Sequence, residues 1–195
     1  MNPRITVINL GVTTPKTTLI GLVDPKTPTN VGSVMRAARC YQAQAVRYTG
    51  ERFGHAARYH TDTKSTTSTI PLLHVADLVA GLPAPMKIVC VELAEGATLL
   101  TEFIHPDHAL YIFGPEDGSI PQDIINAADS VVYIPTIGCM NLAATVNVVL
   151  YDRLAKSTQS IDSDERIKSS RDINNRLKVN SCGASVDSSA GIRAC

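Results

Sequence analysis

The chain has 195 residues, enough for one domain with a full-sized core, and 44% of them are hydrophobic, which is ordinary for a globular protein. Its 18 Lys and Arg balance 18 Asp and Glu, and this net charge of zero argues against a protein that coats nucleic acid. No apolar run reaches the length of a membrane helix, and Met1–Val7 lacks a basic stretch followed by an apolar one, so no membrane partner is expected and a cytoplasmic location is the default.

Residues 1–17, with Pro3 and a Thr-Thr-Pro-Lys-Thr-Thr stretch, read as an N-terminal arm. Residues 18–23 read as a buried strand stopped by Asp24-Pro25 and Pro28. Thr29 or Asn30 can cap the helix that follows, with Val31, Val34, Met35 and Ala38 on one face and Arg36 and Arg39 on another. A short strand at 45–49 precedes a polar, basic segment at 50–68. Residues 70–73 are strand-like, and 74–82 read as a short helix ended by Pro83 and Pro85.

The second half is more regular. Strands are expected at 87–93, 109–113 and 131–134, with a loop at 94–108 and a short helix opened by Pro121. A helix from Asn141 to about Ala155 carries Leu142, Val146, Val149 and Leu150 at helical spacing. Strands separated by helices imply an α/β domain, a mostly parallel sheet with helices on both faces, spanning 18–156. Residues 157–195 form a polar extension in which 163–179 could make a charged helix, while 180–195 are too small and polar to pack.

Charge is unevenly placed. No Lys or Arg occurs between residues 88 and 152, where Glu92, Glu95, Glu102, Asp107, Glu116, Asp117, Asp123, Asp129 and Asp152 all lie. Between 36 and 64 the balance reverses: Arg36, Arg39, Arg47, Arg52, Arg58 and Lys64 face only Glu51 and Asp62. Such a zone can contact phosphates locally, although the same arginines also fit scattered solvated charges. Cys40, Cys90, Cys139, Cys182 and Cys195 are odd in number and contain no C-x-x-C pair; Cys40 and Cys90 read as small buried hydrophobes. His105-Pro-Asp-His108 reads as a turn before a strand, and no metal site is expected.

Three segments carry chemistry. Asn30 and Arg36 flank Val-Gly-Ser-Val-Met and can present an amide and a guanidinium beside one cleft; a capping Asn and a surface Arg would look the same. Phe-Gly-Pro-Glu-Asp-Gly-Ser-Ile-Pro (113–121) leaves a strand with Gly114 suited to close approach and Glu116 in the loop. Ile134-Pro-Thr-Ile-Gly-Cys-Met precedes Asn141, and its backbone groups could bond an adenine edge while Ile134 and Leu142 pack on its faces. Loops at the carboxyl ends of strands are where α/β sheets bind ligands. Neither G-x-G-x-x-G nor G-x-x-x-x-G-K-[ST] is present, which weakens a doubly wound nucleotide-binding domain of another kind.

In this order and spacing the three segments resemble the motifs of the SPOUT superfamily of knotted RNA methyltransferases, in the TrmH-like branch of ribose 2′-O-methyltransferases. The resemblance covers about residues 18–156. It implies a deep C-terminal trefoil knot (the α/β knot), a homodimer, and S-adenosylmethionine held by Glu92, Leu93, Gly114, Ile134, Cys139, Met140 and Leu142. Arg36 carries over as the catalytic arginine, Asn30 and Glu116 as its positioning partners, and Asn141 as a site-shaping amide. Many relatives have Ser where Cys139 stands, and Glu116 is followed by Asp-Gly rather than a more glycine-rich turn.

The implied activity is methylation of a ribose 2′-hydroxyl of RNA, with tRNA as substrate. Ribosomal RNA and a non-catalytic knotted RNA-binding module are the alternatives. RNA would meet Arg36, Arg39, Arg52 and Arg58, supplemented by basic residues after 153. A guanidinium is protonated up to a pKa above ~12, so Arg36 is expected to position phosphate and hydroxyl rather than act as a base.

Overall fold

The computed structural model describes residues 16–57, 70–157 and 164–179. In chain order the elements are β1 (Thr17–Leu22), α1 (Pro28–Cys40), β2 (Ala45–Tyr48), α2 (Arg52–Ala57), β3 (Leu72–His74), β4 (Lys87–Val91) and β5 (Thr98–Leu99). A 3-10 turn (Leu100–Glu102), β6 (His108–Phe113), α3 (Gln122–Ala127), β7 (Ser130–Tyr133), α4 (Leu142–Ala155) and α5 (Asp164–Ser170) follow. The described residues fall into two compact units, one ending at Thr158 and the other beginning at Gln159.

All seven strands of the first unit run parallel in the order β3-β2-β1-β6-β4-β7-β5. A parallel sheet must be covered on both faces, because its crossovers run over them. The alternation along β6 shows this: Ala109, Tyr111 and Phe113 point into one core cluster and Leu110 and Ile112 into the other. The first face is covered by α1, α2 and α4, through Val31, Val34, Phe53, Val146 and Val149. The second lies under residues 75–86 and α3, through Leu78, Val79, Ile124 and Ile125.

Helix α1 begins earlier than its caps suggested. Pro28, with its fixed φ and missing N–H, takes the first helical position, and Thr27 is the N-cap. Asn30 therefore sits inside the first turn, where its amide is free for tertiary bonds. The helix expected over 74–82 does not form: Leu72–His74 is a strand, and the residues after it run as bends and turns. Apolar Val75, Leu78, Val79 and Leu82 pack on the sheet without helical hydrogen bonds. The expected loop 94–108 contains β5 and the 3-10 turn, both too short to leave a periodic signal. Cys40 is exposed at the end of α1 rather than buried. Cys90 is buried, and burial together with Glu92 pushes its thiol up to about 12. In the second unit the helix of the 163–179 stretch covers only Asp164–Ser170. Residues 1–15, 58–69 and 180–195, including Arg58 and most of the N-terminal arm, lie outside the described residues.

A polar cluster fastens α4 to β6. The His105 side chain is 4% exposed; its Nδ1 meets the Tyr111 hydroxyl at 2.6 Å and its Nε2 meets Asp152 Oδ2 at 2.8 Å. Lys156 Nζ lies 2.7 Å from the same carboxylate. A carboxylate accepts only, so Nε2 carries the imidazole proton and Nδ1 accepts from the tyrosine. Burial lowers the His105 pKa, Asp152 opposes that, and Arg153 and Lys156 lower it further. The folded state therefore refuses a proton that the unfolded state binds near its ordinary pKa of about 6.5, and stability falls as pH drops below that value. Thermal denaturation should show the melting temperature falling between about pH 7.5 and 5.5. His105→Gln should lower it at neutral pH and flatten that slope.

Candidate functional site

The register brings three strand ends together. Val91 at the end of β4 pairs with Phe113 at the end of β6 on one side and with Val132 of β7 on the other. Because all three strands are parallel, Glu92, Gly114 and Ile134 leave the same edge of the sheet side by side. They open onto one solvent-connected cavity. All seven residues expected to hold a cofactor line it: Glu92, Leu93, Gly114, Ile134, Cys139, Met140 and Leu142. Glu116 lines it too.

The lining combines apolar faces with open backbone. Val91, Leu93, Phe113, Tyr133 and Leu142 supply apolar surface. In the loop after β7, Thr136 N–H donates to Ile134 O at 2.9 Å and the Thr136 hydroxyl to Gly138 O at 2.7 Å. Cys139 and Met140 line the cavity and make no hydrogen bond among the described residues, so their main-chain groups are free to meet a ligand. Gly114 is needed for space: a Cβ there would stand 3.3 Å from Glu92 Oε2 and from Ile120 N. The Glu92 carboxylate accepts from Leu93 N–H at 3.0 Å and Ile120 N–H at 2.9 Å, tying the β4 and β6 loops across the cavity mouth.

Glu116 closes the floor on the α1 side. Its Oε1 accepts from the Thr27 hydroxyl at 2.6 Å, Thr27 N–H at 3.0 Å and Asn30 Nδ2 at 2.9 Å, and its Oε2 accepts from Lys26 N–H at 2.8 Å. Desolvation pushes its pKa up, but the bonds from Thr27, Asn30, the Lys26 N–H and its own N–H outweigh that and hold it at about 2. The carboxylate also faces the positive end of α1, which favours its charge. Asn141 completes the chain. Its Nδ2 donates to Asn30 Oδ1 at 2.7 Å, while its own Oδ1 accepts from Ala143 N–H at 2.9 Å and Ala144 N–H at 3.3 Å as the cap of α4.

The structure thus joins Asn30, Glu116 and Asn141 into one hydrogen-bonded line beside the cavity. Arg36 is not part of it. It lies exposed on α1, six residues beyond Asn30 and off the cavity wall, with no partner among the described residues, and Arg39 is likewise exposed and unpaired. Arg52 is engaged inside the molecule. It lies 2.9 Å from Asp24 Oδ2, donates to Asp24 O at 2.7 Å, and makes a 2.8 Å contact with Asp117 Oδ1. Its bond to Asp117 and that of Lys26 lower the Asp117 pKa. The sequence reading missed Thr27, whose hydroxyl Glu116 uses; its place before Pro28, at the helix N-cap, was the available signal. Among the described residues no cluster of His, Cys, Asp and Glu could hold a metal, and no helix is long and apolar enough to cross a membrane.

A wholly parallel α/β sheet with a cleft at its carboxyl edge, walled by apolar side chains and unpaired backbone, defines a binding domain for a small organic ligand. The sequence profile of the SpoU rRNA Methylase family matches residues 17–151, and the chain belongs to that family. No curated protein sequence matches it. Among solved structures, it is similar to the SpoU methyltransferase AviRb from Streptomyces viridochromogenes in complex with AdoMet, at 19% identity and TM-score 0.59, covering 78% of this chain and 62% of AviRb. The A. aeolicus TrmH/SpoU tRNA modifying enzyme matches at 16% identity and TM-score 0.58, covering 79% of this chain and 85% of that one. A protein studied for the 2-OH methylation of C/U34 on tRNA matches at 21% identity and TM-score 0.61, with 78% and 98% covered.

Asn141→Ala removes both the cap of α4 and the donor to Asn30. Urea denaturation should show a loss of about 1–2 kcal/mol, most of it recovered by Asn141→Ser, which restores a capping oxygen.

Proposed function

We propose that this protein is an S-adenosylmethionine-dependent RNA methyltransferase acting on a ribose 2′-hydroxyl, with tRNA as its substrate. The observation that carries the reading is the cavity itself: all seven residues expected to hold the cofactor line one space, with the Glu116–Asn30–Asn141 line at its side. Family membership and the AdoMet-bound relative support the cofactor, and two of the relatives named above concern tRNA. Ribosomal RNA is the second reading, favoured by the family's own description.

The residues present fit the cofactor. Apolar Leu93, Ile134 and Leu142 suit the faces of a purine, and free backbone groups at Cys139 and Met140 suit its edge. When bound, S-adenosylmethionine supplies an electrophilic methyl group on a sulfonium sulfur. A 2′-hydroxyl must lose its proton as it attacks that methyl. Glu116, held at about 2, is a poor acceptor for it, so its part is to fix Asn30 and the first turn of α1. Arg36 is an unpaired cation on the same helix, and its role is to hold the RNA phosphate and the hydroxyl in line, with positioning supplying the rate.

Two further features belong to this reading. The chain lays down β4, then β5, and β7 later enters between them, which supports a threaded, knotted C-terminal half. The outer face of α4 carries Ala144, Val148, Tyr151 and Ala155 exposed, with Tyr151 62% exposed, an apolar stripe that supports a homodimer.

With labelled S-adenosylmethionine and unfractionated tRNA, Arg36→Ala should lower methyl transfer at least about a hundredfold. Calorimetry should find its cofactor affinity nearly unchanged. Normal turnover by that variant would overturn the assignment of Arg36, and absence of saturable cofactor binding by the wild type would overturn the function. Light scattering should find a dimer that Tyr151→Asp converts to monomer.

A further inference from the structure

A polyanion needs unpaired cations, and the first unit offers few of them. Lys16, Lys26, Lys87 and Lys156 pair with Asp107, Asp117, Asp129 and Asp152. Arg52 is held by Asp24 and Asp117, Arg47 donates to Leu78 O and Ala80 O, and Arg153 donates to Asp107 O. Among the described residues of that unit, only Arg36 and Arg39 remain without a partner. From 88 to 152 the chain that forms the cavity edge holds no Lys or Arg.

The second unit has the opposite character. Between 166 and 178 it carries Arg166, Lys168, Arg171, Arg176 and Lys178 against the single acid Asp172. Four of these cations, Lys168, Arg171, Arg176 and Lys178, line one concavity together with Asp172. The backbone folds to gather them. Arg171 N–H donates to Ile167 O at 3.0 Å, Asn175 N–H to Asp172 O at 2.9 Å and Leu177 N–H to Asn175 Oδ1 at 3.1 Å. Asp172 is partly occupied: its Oδ1 accepts from Asn174 N–H at 3.0 Å. Arg171 donates to Leu177 O at 3.4 Å, and no carboxylate pairs with Lys168, Arg171, Arg176 or Lys178 among the described residues.

We infer that the concavity of residues 168–178 is an RNA-backbone-binding site, gripping phosphates without reading bases and adding to the few unpaired cations among the described residues of the first unit. The inference rests on the RNA substrate proposed above. An anionic membrane is the other polyanion such a cluster could meet. RNA is favoured because no amphipathic helix carries the apolar residues here: Ile167 lies in α5, a helix of 7 residues, whereas Ile173, Leu177 and Val179 lie beyond it.

The test is a Lys168→Ala/Arg176→Ala/Lys178→Ala variant of the full chain, with all three residues exposed and none of them in a core cluster. Binding of labelled unfractionated tRNA, followed by anisotropy across a salt series, should weaken at least about tenfold. The slope of log K against log salt should fall by roughly 2 to 3, at 0.7–0.9 per lost phosphate contact. Calorimetric S-adenosylmethionine affinity and methyl transfer at saturating tRNA should be unchanged. Wild-type affinity and slope in the variant would overturn the inference while leaving the methyltransferase reading intact. Binding to phosphatidylserine vesicles that the variant loses, with tRNA binding unaffected, would also overturn it. Tight tRNA binding without methyl transfer by the wild type would sink the catalytic reading alone.

Discussion

A single carboxylate organises the edge of the sheet where the cavity lies. Glu116 sits in the loop after β6, yet its four hydrogen bonds go to Lys26, Thr27 and Asn30, about ninety residues earlier in the chain. Four donors around one charge hold it ionised and fix the entry of α1 against the second loop. Asn30 then passes the constraint to Asn141, which fixes the start of α4. Two long helices are thus indexed to one loop by side chains from three distant segments. Pro28 fits this scheme because it starts the helix without a side-chain cap, leaving the Thr27 hydroxyl for Glu116.

The second constraint is register. Pairing Val91 with both Phe113 and Val132 makes β4, β6 and β7 end together, so the three loops cannot avoid one another. Glu92 bridges two of them through Leu93 and Ile120, and Gly114 leaves room for that bridge. The loop after β7 keeps its own backbone groups largely unpaired, which is costly in a buried place and useful only at a surface meant to be covered. Charge follows the same division: the described cations of the first unit are mostly held by internal partners, and in the second no carboxylate pairs with Lys168, Arg171, Arg176 or Lys178.

Much of this was legible in the sequence because it is periodic or chemically special. The strands around β1, β4, β6 and β7 appear as apolar runs stopped by Gly and Pro, and α4 appears through Leu142, Val146, Val149 and Leu150. The cavity residues were readable because Gly114, Cys139 and Met140 follow strands in loops no simple connection needs. The misses have physical causes. Apolar Val75, Leu78, Val79 and Leu82 have helical spacing but pack as an irregular cover on the sheet, so tertiary contact overrode periodicity. Cys40 stands two positions past Ala38, the last buried residue of α1. Arg52 looked like a phosphate ligand by composition, and only coordinates reveal Asp24 and Asp117 at its fork. The His105–Tyr111–Asp152 cluster was invisible because Asp152 lies 47 residues beyond His105 and only the packing of α4 beside β6 brings it there.

The strand order has a consequence for how the chain is made. β6 lies between β1 and β4 although it is synthesised after both, and it is the strand with two long-paired neighbours at the middle of the sheet. A nascent chain that has emerged only to residue 107 therefore holds β3-β2-β1 as a paired group, while β4 and β5 have no partner because β6 and β7 are still to come. Growth by adding strands at an edge is ruled out; the centre is filled last but one. Such a protein commits to its native arrangement only after most of it has left the ribosome, and a truncation before Phe113 should yield an aggregation-prone fragment rather than a smaller domain.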